Sequence, residues 1–196
     1  MSTAFFDARQ VLRAPGPRPV LRLLVADPTG AVDGPLLREF APELTVVTAG
    51  PDDSLAAPAT ASPALPWALL AIANRTPGAG AALLARAVRA ARGGPPPAHL
   101  LLCPGPSADP AGLDAFTEAI VEEGDAAALP CPVTVLLTES PASGGRTAHA
   151  GVTASWPRLS PDAFTVRLLG PDAWSLGPSG AVTVRIIKEE LRVRPA

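Results

Sequence analysis

Tyrosine is absent from this chain, methionine occurs once, and lysine once, at Lys188. The other fifteen of its sixteen basic residues are arginine. Guanidinium forks suit anion recognition, but alanine, arginine, glycine and proline raised together are also what a GC-rich genome encodes. Charge of one sign is missing as well: 16 basic residues face 18 acidic ones, a net charge of −2. Such a balance gives no field for a polyanion, so nucleic acid is not an expected partner. The two cysteines, Cys103 and Cys131, make no disulfide framework and imply a reduced, cytoplasmic protein. No run reaches the roughly 18 consecutive apolar residues of a membrane span, and the first residues show no basic region followed by an apolar core, so no membrane association is expected. Two histidines are few for acid–base chemistry. A Gly-x-Ser-x-Gly elbow, zinc-ligand spacing and a pair of carboxylates on one helix face at an active-site loop are all absent from the sequence, which assigns no catalytic residue, no metal and no cofactor.

What is present is apolar material, 47 % of residues, enough to fill a core. The 25 prolines and 17 glycines gather between the apolar segments and mark loops. The central unit spans 97–139. There His99-Leu100-Leu101-Leu102-Cys103, a helical stretch from Asp109 to Glu123, and Val133-Thr134-Val135-Leu136-Leu137 follow one another as a βαβ unit. Further apolar strands are expected at 20–26, 44–49 and 67–73. Short and long helices are expected at 35–40 and 78–92, the latter with Leu83, Leu84, Ala87, Val88 and Ala91 on its core face. Residues 50–65 read as a long loop.

After Pro141 the period changes to 2, with Phe164, Val166 and Leu168 and then Val182, Val184 and Ile186 alternating with polar residues. That alternation predicts antiparallel strands with one wet face. The expected organisation is therefore an N-terminal lead-in over 1–19, an α/β domain over 20–140 and an antiparallel β extension over 141–196 packed on it. The fold class is a three-layer α/β domain with a mainly parallel sheet, in a flavodoxin-like or von Willebrand A-like winding.

Sheets of this class hold ligands in the loops at the carboxyl ends of their strands. The candidates there are Asp27 and Thr29 after the first strand, Asn74, Thr76, Gly78 and Gly80 after the third, and Cys103 after the fourth. The Asn74–Gly80 loop precedes a helix, whose N–H groups attract anions. It lacks the Lys-Ser/Thr of a P-loop, and Leu83 stands where a dinucleotide fingerprint needs its third glycine. Cys103 is a thiol without a nearby base, since His99 begins the same strand, roughly 13 Å away at about 3.3 Å per residue. His149, further along, is the other imidazole.

Asp27-Pro28-Thr29 resembles the Asp-x-Ser/Thr opening of von Willebrand A-type domains, and the His99–Leu137 unit is similar to the strand–helix–strand carrying their second acidic motif. The resemblance covers residues 20–140. Ala31 replaces the third hydroxyl, and Cys103-Pro104-Gly105 replaces Thr-Asp-Gly, so it implies a metal-free version, a type that mainly binds proteins. The leading expectation is thus a non-catalytic protein-interaction or scaffold module within a larger assembly, its protein partner docking through the 145–194 strands. The alternative is a small-molecule-binding, nucleotide-binding or hydrolytic α/β protein using the loops at Asp27, Asn74 and Cys103.

Overall fold

The computed structural model describes residues 11–12, 21–27, 32–41, 43–49, 55, 65–73, 77–93, 95–104, 128–138, 156–160, 163–170 and 172–192. The helical stretch expected over 109–123, nearly all of the 50–65 loop and the alternating residues 147–155 lie outside them. The strands are β1 (Val11–Leu12), β2 (Leu21–Ala26), β3 (Leu44–Ala49), β4 (Trp67–Ile72), β5 (His99–Cys103), β6 (Val133–Thr138) and β7 (Phe164–Leu169). The helices are α1 (Gly34–Arg38), α2 (Pro77–Arg92) and α3 (Pro178–Glu190), with a short 3-10 turn at Trp156–Leu159.

These strands form one sheet in the order β1-β3-β2-β4-β5-β6-β7. Six strands run parallel, and β1 pairs antiparallel with β3. From β2 the chain steps to β3 on one side, then returns past β2 to β4 and continues outward to β7. Right-handed crossovers in opposite directions put their helices on opposite faces of a sheet. Accordingly α2, through Leu84 and Val88, packs with Leu69, Leu100 and Val135 on one face. On the other face α1 and α3, through Leu36, Phe40 and Ile187, cover Leu23, Leu70 and Leu101. Strands β2, β4, β5 and β6 are buried along their whole length, which is why they read as unbroken apolar runs.

The antiparallel extension is not what the described part of 141–196 forms. β7 joins the same sheet parallel to β6, in the register Val133↔Phe164 to Thr138↔Leu169. Residues 178–190, where Val182, Val184 and Ile186 alternate, are helix. Its buried residues are Gly180, Thr183, Val184 and Ile187, a helical stripe, while Val182 is 42 % exposed. Pro178 at the first helical position and Gly177 before it, at φ +156°, are the start signals that prevail over the alternation.

α3 is held in place by close packing. A β-carbon on Gly180 would stand 2.0 Å from the Ser175 carbonyl oxygen and 2.9 Å from Leu36 Cδ1, so glycine permits the approach of α3 to α1. Lys188 reaches Glu43 at 2.8 Å, and that hydrogen bond holds the Glu43 pKa below its ordinary value.

Candidate functional site at the carboxyl edge

The sheet reverses direction between β2 and β4, and doubly wound sheets keep their ligands outside the strand ends at such a reversal. The residues bordering it are Asp27 after β2 and Ala73 after β4. Asp27 Oδ2 accepts a hydrogen bond from the Val32 N–H at 2.8 Å, so this carboxylate shapes the β2–α1 loop. The Ala73 N–H donates to the Cys103 carbonyl at 2.7 Å, which carries the β4–β5 ladder one step past the strand end. Cys103 is fully buried, on the face shared by Ile72, Leu101 and Leu136.

Of the remaining sequence candidates, Thr29, Asn74 and Thr76 lie outside the described residues. Gly78 and Gly80 lie within α2, which begins at Pro77.

Two features of this edge were not anticipated. The loop between β7 and α3 reaches back to the β2–α1 loop: the Asp33 N–H donates to the Trp174 carbonyl at 3.2 Å, and Asp33 Oδ2 accepts from the Leu176 N–H at 2.8 Å. Beside it, Thr138 Oγ1 at the end of β6 and Trp174 Nε1 are buried, and neither has a hydrogen-bond partner among the described residues. An unpaired buried donor is costly, and such groups concentrate where a ligand or reacting group is recognised. The signal for the loop contact was a strand end at Leu169, hidden while β7 was taken for an antiparallel element.

A second polar cluster lies at the amino edge. The Thr134 hydroxyl donates to Glu190 Oε2 at 2.8 Å and stands 2.9 Å from His99 Nε2, and Arg167 Nε donates to Glu190 Oε1 at 2.6 Å. Burial pushes the His99 pKa down. Burial likewise pushes the Cys131 thiol up to about 11, which makes it inert. His99 is thus occupied at the edge opposite the strand-end loops. Among the described residues no group of three His, Cys, Asp or Glu is placed to hold a metal, and no helix is long and apolar enough to cross a membrane.

In hydrolases that use a strand-to-helix elbow, the nucleophile sits on the sharp turn between a central strand and its helix, followed in the chain by an acid and then a histidine. The corresponding turn, 73–76, reads Ala-Asn-Arg-Thr. From residue 67 to 92 there is neither serine nor cysteine, and Thr76 is the single hydroxyl. The loop after β7, residues 170–177, contains no histidine.

No family model matches the chain, and no curated protein does. Solved structures do. The chain is similar to RedJ, a thioesterase from the prodiginine biosynthetic pathway in Streptomyces coelicolor, with a TM-score of 0.55 and 18 % identity over 88 % of this chain and 91 % of that one. ClbQ from the colibactin NRPS/PKS pathway gives a TM-score of 0.53 at 11 % identity, covering 88 % and 97 % of the two chains. The NocB thioesterase domain from the nocardicin cluster gives 0.51 at 20 % identity, covering 88 % and 93 %. The expectation of a non-catalytic interaction module, scaffold or complex subunit, in the form of a metal-free von Willebrand A-like domain, is thereby corrected. The fold is similar to that of these thioesterases. The β extension that carried the interaction reading is in part β7 and α3 of this same layered fold.

Proposed function

We propose that this protein is a hydrolytic α/β protein that takes an acyl ester or thioester at the carboxyl edge of its sheet, in the crevice between the ends of β2 and β4. The observation that supports this best is the outline: a sheet reversing between β2 and β4, in a chain whose fold is similar to that of the RedJ thioesterase over 88 % of its length. The order β3-β2-β4-β5-β6 favours the flavodoxin-like winding over the von Willebrand A-like one.

On this reading Thr76 is the nucleophile, being the one hydroxyl available in the turn. His149 is the base by elimination, since His99 belongs to the amino edge. Glu139, adjoining the end of β6, completes the order nucleophile, acid, histidine along the chain. The Thr76 oxygen attacks the acyl carbonyl as His149 takes its proton. The C–S or C–O bond breaks, the leaving group takes that proton, and a water molecule then releases the acid.

The test is thiol release from a series of acyl N-acetylcysteamine thioesters. Thr76→Ala and His149→Ala are each expected to lower turnover by about a thousandfold or more, with Thr76→Ser retaining it. A fluorophosphonate, the class captured covalently by the NocB domain, should label the wild type and not Thr76→Ala. Absence of both release and labelling would sink the hydrolytic reading.

A second reading, an acyl-binding protein on the same frame without turnover, is favoured by the residues of the turn itself, since β4 runs out on Ala73 with no serine or cysteine following. A rise in melting temperature with an acyl thioester that stays intact would select it.

A further inference from the structure

At the amino edge, opposite the proposed acyl site, a cavity of about 620 Å³ opens between the starts of β2, β5, β6 and β7 and the end of α3. Leu21, Pro132 and Leu191 give it apolar walls, and His99, Thr165, Glu189, Glu190 and the exposed Arg192 its polar ones. This volume is in the range of pockets for small organic ligands.

The charges around it leave one group over. Glu190 is engaged by Arg167 and Thr134, and Glu189 lies 3.9 Å from Arg185. Burial keeps His99 neutral near pH 7. The last turn of α3 directs carbonyls this way, but the N–H groups of Leu191 and Arg192 take those of Ile187 and Glu189. Among the described residues, no hydrogen bond or ion pair engages the Arg192 guanidinium.

Arg192 is also the single described non-glycine residue at positive φ, +53°. Helices often end in this conformation, but on glycine or asparagine. An arginine held there is strained, and such strain concentrates at ligand clamps.

We infer that this cavity binds a small organic carboxylate, with its carboxylate on the Arg192 guanidinium and its hydrocarbon part against Leu21, Pro132 and Leu191. The site is independent of the proposed acyl site and does not rest on that reading.

Titration of the full chain with hexanoate, hexylamine and 1-hexanol, followed by calorimetry and melting temperature, tests this. Hexanoate should saturate one site and raise the melting temperature, and hexylamine should not. Arg192→Gly should lower hexanoate affinity about tenfold or more while the unliganded protein melts no lower, because glycine relieves the strained φ. That pair of results separates ligation from a structural role. Ala98→Trp, which fills the cavity from an exposed position on its lining, should abolish binding, and Thr76→Ala should leave it unchanged. Equal binding of the amine or the alcohol, undiminished binding by Arg192→Gly, or no saturable hexanoate binding would each overturn the inference.

Discussion

The carboxylate of Asp33 accepts a hydrogen bond from the backbone N–H of Leu176 at 2.8 Å, joining two loops 143 residues apart in the chain. The bond is solvent-exposed, so Asp33→Ala should cost only about 1 kcal/mol in a urea midpoint measurement. Because it links the β2 and β7 loops of the candidate site, its loss should weaken acyl-ligand binding more than it weakens the fold. Asp33→Asn, which keeps an acceptor oxygen, should restore binding.

Gly180 and Gly34 should respond differently to alanine. At Gly180 the added carbon meets a backbone oxygen at 2.0 Å, and backbone cannot rotate away, so about 3 kcal/mol of destabilisation is expected. At Gly34, the first residue of α1, nothing but its chain neighbours lies within 4 Å, and helix propensity is offset by the following Pro35, so alanine should change stability by no more than about 0.5 kcal/mol. Thermal melts of the two variants check this.

His99 should make the fold acid-sensitive. Its folded pKa is lowered by burial, so the unfolded chain binds the proton more readily than the folded one. Its contribution is therefore complete above the unfolded value of about 6.5 and is lost as pH falls through the depressed folded value. Melting temperature followed from pH 7.5 downward should decline more steeply in the wild type than in His99→Gln. Glu43, also lowered, adds a loss of the same sign below its ordinary pKa of 4.5.

Thr138→Val should be neutral or stabilising by up to about 1 kcal/mol, since it replaces a buried hydroxyl lacking a partner with a methyl of the same shape. A clear destabilisation by denaturant titration would mean that the hydroxyl is satisfied after all.

The four strands at 21–26, 67–72, 99–103 and 133–138 were legible because strands covered on both faces become continuous apolar runs, and the half-buried 44–49 because its β-branched residues end at Gly50-Pro51. β7 was visible as a strand but not in its direction. It lies at the sheet edge with Leu168 58 % exposed, and an edge strand alternates in the same way whichever direction its neighbour runs. That ambiguity hid the carboxyl-edge loop after Leu169, and with it the Asp33–Leu176 contact and Trp174. α3 was misread because Val182, Val184 and Ile186 fit a period of 2, although Gly180, Thr183, Val184 and Ile187 fit a helical stripe equally well. Asp27 and Cys103 stand at the carboxyl ends of β2 and β5, where the strand-end rule put them. His99, Thr134, Glu190 and Arg167 come from four separate elements, and nothing local in the sequence marks them as neighbours.

The packing of α3 against α1 and the first strands also sets an order of events during synthesis. Val184, Ile187 and Leu191 close the apolar face formed by Leu23, Leu36 and Phe40, which leave the ribosome some 150 residues sooner. At about 5–20 residues per second, that face stays open for on the order of ten seconds in every nascent chain. Half of the core can be finished only after the last helix emerges, so each newly made molecule passes through a stage in which a chaperone, or another nascent copy, competes with α3 for the same surface.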